Sequence, residues 1–277
     1  MTQPVNDQLL RYTFAEHDVR GELVQLTTSY QRLLQGHSYP AAVQRVLGEL
    51  TAAVSLLTAT LKFEGHIAVQ IQGDGPLNFV AVNGNHRQEF RGIARVRSEI
   101  IDESLPAMIG KGALIITLTP DNGERYQGVV DINADSVAQL IENYFAQSEQ
   151  LATKLWLFAD GEHAAGMLLQ KLPSGETTEE GFEHLTVLSD TLTAAEVYAL
   201  PGEQVLHRLY HEEQVHLYPP QPVSFVCGCS REKTLEALAS LEPAEIQSIL
   251  QEHGEVVMTC DYCLTEYRYS AEDFGQA

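Results

Sequence analysis

The chain has 277 residues, with 17 Lys and Arg against 38 Asp and Glu, a formal charge of −21, 44% hydrophobic residues and four cysteines. That length and apolar content suffice for one large domain or two unequal ones with a real core. So acidic a chain lacks the clustered cations that neutralise nucleic-acid phosphates or anionic lipid headgroups, which argues against both as partners.

No apolar run approaches the roughly 20 residues that span a bilayer. The first thirty residues, with Asp7, Glu16, Asp18 and Glu22, do not read as a secretory leader. A soluble, cytoplasmic protein is the expectation. The acidity is uneven: residues 1–173 hold 13 bases and 19 acids, and residues 174–277 hold 4 bases and 19 acids. The last third also holds every thiol.

Residues 1–173 read as an α+β core domain. After Pro40 the residues Val43, Val46, Leu47, Leu50, Val54, Leu57 and Leu61 recur at spacings of three and four, the signature of a core-facing helix. The period then changes to two. Ile67, Val69 and Ile71 alternate with polar residues, Gly73-Asp74-Gly75-Pro76 makes a turn, and Leu77 to Val82 continues as a strand. Asn83-Gly84 offers a second turn before a strand over Arg87 to Val96, giving an antiparallel meander. Asp121-Asn122-Gly123 predicts a hairpin between Ala113–Thr119 and Arg125–Ile132. A helix follows from about Asp135, then a strand pair, Lys154–Phe158 and Met167–Leu172, around Gly161. Antiparallel strands with helices grouped between them indicate the α+β class.

The polar run from Pro173 to Gly181 is the clearest boundary. Residues 174–222 read as an acidic helical linker. Phe182, Leu185, Leu188, Leu192, Val197, Leu206, Leu209 and Tyr210 supply apolar faces over Phe182 to Tyr218, Thr193 and Glu196 are spaced as a capping box, and Pro201-Gly202 breaks the helix. With Arg208 as its one base in that stretch, the segment needs something to dock on in order to fold. Pro219, Pro220 and Pro222 end the helical pattern. Residues 223–277 form the third region, with Ser230 as a helix cap, Pro243 at a first helical position and Gly254 at a helix end.

Cys227-Gly228-Cys229 and Cys260-Asp261-Tyr262-Cys263 make two close thiol pairs, a donor set suited to a tetrahedral zinc ion. Four sulfur ligands leave no position for a catalytic water, so hydrolysis at the metal is not expected. Three readings follow: an inert zinc ribbon that staples a module too small to stand alone, a redox switch in which thiolates give up the metal on oxidation, and a thiol oxidoreductase using Cys260 and Cys263. No thioredoxin-like context favours the last. Structural zinc contributes ~10–16 kcal/mol in small modules, while whole domains are stable by ~5–15 kcal/mol. Losing the metal should therefore unfold the module.

Two weaker signals remain. His207 and His211 lie four apart, with Arg208 where a metalloprotease motif needs Glu, and read as surface histidines. Arg87, Arg91, Arg95 and Arg97 form a basic cluster, read as a solvated face or as the docking ground of the acidic linker.

The motif Cys227-Gly228-Cys229-Ser230-Arg231-Glu232 with Cys260-Asp261-Tyr262-Cys263 resembles the zinc domain of the heat-shock protein 33 family, bacterial redox-regulated holdase chaperones. The resemblance continues through Leu56 to Lys62, Gln72 to Pro76, Arg91 to Arg95, Gly123 to Val130, Gly166 to Gln170 and Arg208 to Glu213, nearly the whole chain. It implies no enzymatic activity but an ATP-independent chaperone, holding one zinc ion and inactive when reduced, with the linker folded on the core. It also implies that oxidation forms Cys227–Cys229 and Cys260–Cys263 disulfides, releases zinc and unfolds the linker. A homodimer then captures unfolding client proteins, and thioredoxin or glutaredoxin and an ATP-driven chaperone act afterwards. The alternative is a constitutive structural zinc-ribbon module for protein interaction.

Overall fold

Strands, rather than helices, come first among the described residues. In a computed structural model that describes residues 7–61, 63–172 and 179–275, β1 (Gln8–Phe14) and β2 (Val19–Leu26) pair antiparallel. Helix α1 (Thr28–Leu34) leads to the helix expected after Pro40, α2 (Ala41–Thr60). The meander follows as β3 (Gly65–Gly73), β4 (Leu77–Asn85) and β5 (Glu89–Val96). After α3 (Leu105–Ile109) comes the hairpin β6 (Gly112–Pro120) and β7 (Tyr126–Asp131). Helix α4 (Val137–Tyr144) runs into a π-helical turn, Phe145–Glu149. The expected strand pair is β8 (Thr153–Ala159) and β9 (Ala164–Lys171).

Two sheets result, joined in the orders β1-β2-β9-β8 and β5-β4-β3-β6-β7. Helix α2 packs against both of them, which explains why it is apolar on more than one stripe: Val43, Leu47, Leu50, Ala53, Val54 and Leu56 are fully buried. The Asn83-Gly84 turn does not form there, because β4 runs on to Asn85 and the reversal comes at Asn85 to Gln88, with Gln88 at φ 60°. Gly84 serves a different end. A Cβ on it would lie 2.8 Å from Val54 Cγ1, so its missing side chain lets α2 approach the sheet.

The outer face of the first sheet presents Leu10, Tyr12, Phe14, Leu23, Met167 and Leu169. Three helices of the acidic segment cover it: α5 (Glu179–Ser189), α6 (Ala194–Ala199) and α7 (Gly202–Tyr210). They bury Leu185, Val197, Val205, Leu206, Leu209 and Tyr210 against that face. The Thr193–Glu196 capping box forms as its spacing predicts. Polar contacts fix the dock. Gln25 Nε2 donates to the carbonyls of Val197 and Leu200 at 2.6 and 2.8 Å, Trp156 Nε1 donates to Asp190 at 2.9 Å, and the Glu213 carboxylate lies 2.9 Å from His184 Nε2 and 3.6 Å from His17 Nε2.

The helical reading fails beyond Tyr210. Residues Val215–Leu217 form β10 and Gln221–Pro222 form β11, both antiparallel to β1, and β12 (Ser224–Phe225) pairs parallel to β5. An open strand edge satisfies this backbone better than an isolated last turn before prolines would.

Contacts divide the chain into two units, Met1–Phe225 and Val226–Ala277, and the helices of the acidic segment belong to the first. Of the expected boundary, residues 173–178 lie outside the described residues. The second unit holds α8 (Arg231–Leu238), α9 (Pro243–His253) and the hairpin β13 (Val256–Thr259) and β14 (Glu266–Tyr269). Its core is small, centred on Leu238, Ile246, Val256 and Tyr269. Ser230 caps α8 by accepting from Lys233 N–H, and Gly254, at φ 79°, closes α9.

Candidate metal centre

Two backbone features aim the cysteines at one another. Gly228 takes φ 66° between Cys227 and Cys229, a left-handed conformation that glycine adopts at little cost. The chain after β13 turns tightly, with Cys260 N–H donating to Thr265 O and Leu264 N–H to Cys260 O, each at 2.9 Å. The β13–β14 hairpin holds this second turn. The sulfurs of Cys227, Cys229, Cys260 and Cys263 all lie within 4.8 Å of one another. The shorter contacts run between the two segments, 3.4 Å for Cys227–Cys260 and 3.5 Å for Cys229–Cys263.

The donor set fits zinc. A tetrahedral ion with Zn–S bonds near 2.3 Å separates its sulfurs by about 3.8 Å, inside the observed range. Cys260 is buried and the others are half-buried. Hydrogen bonds surround the cluster: Tyr267 Oη donates to Cys229 Sγ at 3.1 Å, Cys263 Sγ donates to Thr265 Oγ1 at 3.3 Å, and Lys233 Nζ donates to Gly228 O at 2.8 Å. When bound, zinc would supply the positive charge that lets four sulfurs stay deprotonated side by side.

The protonation preferences of the thiols show why such charge is needed. Burial pushes the Cys227 thiol well up, against a backbone N–H from Cys229. Burial also raises Cys229, despite the Tyr267 hydroxyl. At Cys263 burial works in the same direction, but the Thr265 side chain and backbone, with Cys227 and Cys229, outweigh it and hold the thiol down at about 6. The Tyr267 hydroxyl is in turn raised, first by its bond to Cys229. The cluster by itself favours sharing little negative charge, and a divalent soft cation removes that constraint.

The structure thus brings together all four sequence-selected cysteines. His207 and His211 belong to no three-residue ligand cluster among the described residues; His211 Nε2 lies 4.0 Å from Glu212 instead. The linker's helices dock on the other sheet from that of the arginine cluster, although Gln221 near the linker's end donates to His86 O, next to Arg87. Arg91 and Arg95 sit on β5, in the sheet opposite the one that α6 and α7 cover. Sequence reasoning passed over Thr265 and Tyr267: Cys263 lies in a turn and Leu264 takes φ 58° before β14 begins at Glu266, so no strand period links them to the cysteine. Nothing local marked His17, His184 and Glu213 as neighbours.

Among the described residues no helix is long and apolar enough to cross a membrane. Comparison with known proteins gives a consistent result. The family model described as Hsp33 protein matches residues 7–270. The chain is 52% identical over 271 residues to the 33 kDa chaperonin of Shewanella frigidimarina, covering 98% of this chain and 95% of that one. It is 53% identical over 276 residues to the 33 kDa chaperonin of Shewanella oneidensis, covering 99% and 96%. Its fold matches the crystal structure of a 33 kDa chaperonin from Thermotoga maritima with a TM-score of 0.85 at 21% identity, covering 98% of this chain and 97% of that one. A family match over residues 7–270, relatives more than 50% identical over nearly all of the chain and a shared α+β fold together place this chain in the Hsp33 family.

Proposed function

We propose that this protein is an ATP-independent holdase chaperone whose switch is the four-sulfur cluster. Reduced, the chain holds one zinc ion through Cys227, Cys229, Cys260 and Cys263 and keeps α5–α7 on the first sheet. The observation that carries this reading is the convergence of four sulfurs within 4.8 Å in a unit whose own core is only a few side chains.

Oxidation by peroxide proceeds in balanced steps. A thiolate sulfur attacks the O–O bond, giving a sulfenic acid and hydroxide. The neighbouring thiolate displaces a second hydroxide and forms the disulfide. Two peroxide molecules convert four thiolates into Cys227–Cys229 and Cys260–Cys263 disulfides and four hydroxide ions. The paired sulfurs are no longer thiolate ligands, zinc is released, and the module loses its main stabilisation. Short local disulfides constrain the unfolded chain too little to replace it.

Between Cys227 and α7 the chain is held by the short strands β10, β11 and β12, by Val223 in the main core and by Gln221 donating to His86 O. Loss of the module leaves α5–α7 free to detach and expose the apolar face of Leu10, Tyr12, Phe14 and Leu23 to unfolding clients. The 9 acids and one base of residues 174–222 keep the opened form dispersed. Dimerisation on activation, reduction by thioredoxin or glutaredoxin, hand-over to an ATP-driven chaperone and a cytoplasmic setting complete the proposal.

The test treats zinc-loaded protein with hypochlorite, or with peroxide at mild heat, and follows zinc, free thiols and aggregation of a thermally unfolding client together. Zinc release coincident with thiol loss and onset of aggregation suppression is expected. Equal suppression before and after oxidation would point to a constitutive zinc-ribbon module instead.

A further inference from the structure

Tyr267 reaches across the cluster. It sits on β14, four residues past Cys263, yet its hydroxyl donates to Cys229 Sγ, 38 residues away in sequence, at 3.1 Å. Its ring packs on the small core formed by Leu238, Ile246, Val256 and Tyr269, which fixes the direction of the hydroxyl. Thr265, two residues earlier, accepts from the Cys263 thiol at 3.3 Å, and once that sulfur is a thiolate, with no proton to give, the same pair can only be bonded by the Thr265 hydroxyl donating. One sulfur from each close pair therefore carries a side-chain hydroxyl neighbour, one from β14 and one from the residue just before it.

We propose that Tyr267 is a positioning residue that restrains the reactivity of Cys229, with Thr265 doing the same for Cys263, and that the two hydroxyls set how much oxidant is needed to open the cluster. This rests on the reading of the cluster as a redox switch. The physical basis is the lone pair. A thiolate sulfur that accepts a hydrogen bond donates part of its electron density to that bond and is a poorer nucleophile toward an electrophilic oxygen or carbon. The same bond orients the sulfur toward a metal, as outer partners of metal ligands do. Tyr267 lies on β14 and Thr265 directly precedes it, its carbonyl accepting from the N–H of Cys260 just past β13, so their restraint lasts only while β13 and β14 stay paired. Oxidation at one sulfur that loosens the hairpin removes it from the other, which makes opening abrupt.

The experiment uses full-length, reduced, zinc-loaded chains: the unmodified protein, Tyr267→Phe and Thr265→Val. Each is alkylated with iodoacetamide without oxidant, and every cysteine is quantified by peptide mass spectrometry. Separately, each is exposed to limiting peroxide while a chromogenic chelator reports zinc. Tyr267→Phe is expected to raise alkylation selectively at Cys229 and Thr265→Val selectively at Cys263, with zinc leaving about tenfold faster in the former.

An equal rise at all four cysteines, with a lower unfolding temperature, would mark a merely structural role and overturn the proposal, as would unchanged patterns. If Tyr267→Phe does not retain zinc, Thr265→Val decides: no selective gain at Cys263 overturns it. The redox-switch reading fails separately, if the unmodified protein keeps its zinc under peroxide, because the alkylation pattern does not depend on that outcome.

Discussion

Gln25, buried on β2, donates its side-chain amide to the backbone carbonyl of Val197 at the far side of the acidic segment, across 172 residues, and also to that of Leu200. Those carbonyls lie in and just after the last turn of α6, where helical partners run out. One core amide thus completes a helix of the segment that covers the sheet.

Gln25→Leu keeps the volume but leaves both carbonyls without this donor, at a cost of about 1–3 kcal/mol for a buried unpaired group. Hydrogen exchange over residues 194–210 should rise while exchange in α2 stays unchanged. Under the proposed function, reduced Gln25→Leu should also suppress client aggregation measurably before any oxidation. Unchanged exchange in α6 and α7 would remove Gln25 from the account of docking.

Glu22 offers a pH signature. Burial raises its carboxyl from the ordinary 4.5 to about 7, against the opposing pull of Arg20 and Arg11. The folded chain therefore holds a proton here that the unfolded chain releases, and stability falls as pH rises from about 4.5 to 7 and stays reduced above that. Glu22→Gln should be more stable than the parent by about 3 kcal/mol at pH 8, with the difference vanishing near pH 4. Denaturant midpoints across that range would show it; a difference that grows toward acid would contradict the assignment.

Gly84→Ala should destabilise the first unit. The added methyl meets Val54 Cγ1 at 2.8 Å and Thr58 Oγ1 at 3.1 Å, both on a helix held between two sheets, and overpacking of this kind costs about 1–3 kcal/mol. A thermal melt reads this directly. A neutral result would mean that α2 can shift away from β4.

Metal removal under reducing conditions should unfold residues 226–277 selectively. Few side chains are fully buried there, whereas the first unit keeps the large core built on α2 and two sheets. Treatment with a strong chelator should abolish exchange protection in α8, α9 and the β13–β14 hairpin and leave β3, β4 and β6 protected. Protection in α9 that survives chelation would show that the module folds without metal.

Much of this molecule is readable along the chain because the controlling interactions are local. The stripe from Val43 to Leu57, the alternation in β3, the Thr193–Glu196 box, the Ser230 cap and the two cysteine pairs each lie within a few turns or one strand, so spacing alone specifies them. Gly84 misled because its dipeptide favours a turn locally, while the demand on it comes from Val54 some thirty residues away. The segment after Tyr210 misled for a similar reason, since only the open edge of β1 makes strand pairing available to it.

The sequence by itself determined the α+β class, the main elements and the identity of the four sulfur donors. Tertiary structure alone decided that the acidic helices cover the sheet of β1, β2, β9 and β8 rather than the arginines of β5. It also placed Glu213 between His17 and His184, and gave Cys229 and Cys263 hydroxyl neighbours from Tyr267 on β14 and from Thr265 just before it. Those relationships depend on which distant surfaces meet, and that is set by burying apolar area across the whole chain, a sum to which each local pattern contributes without revealing its partner.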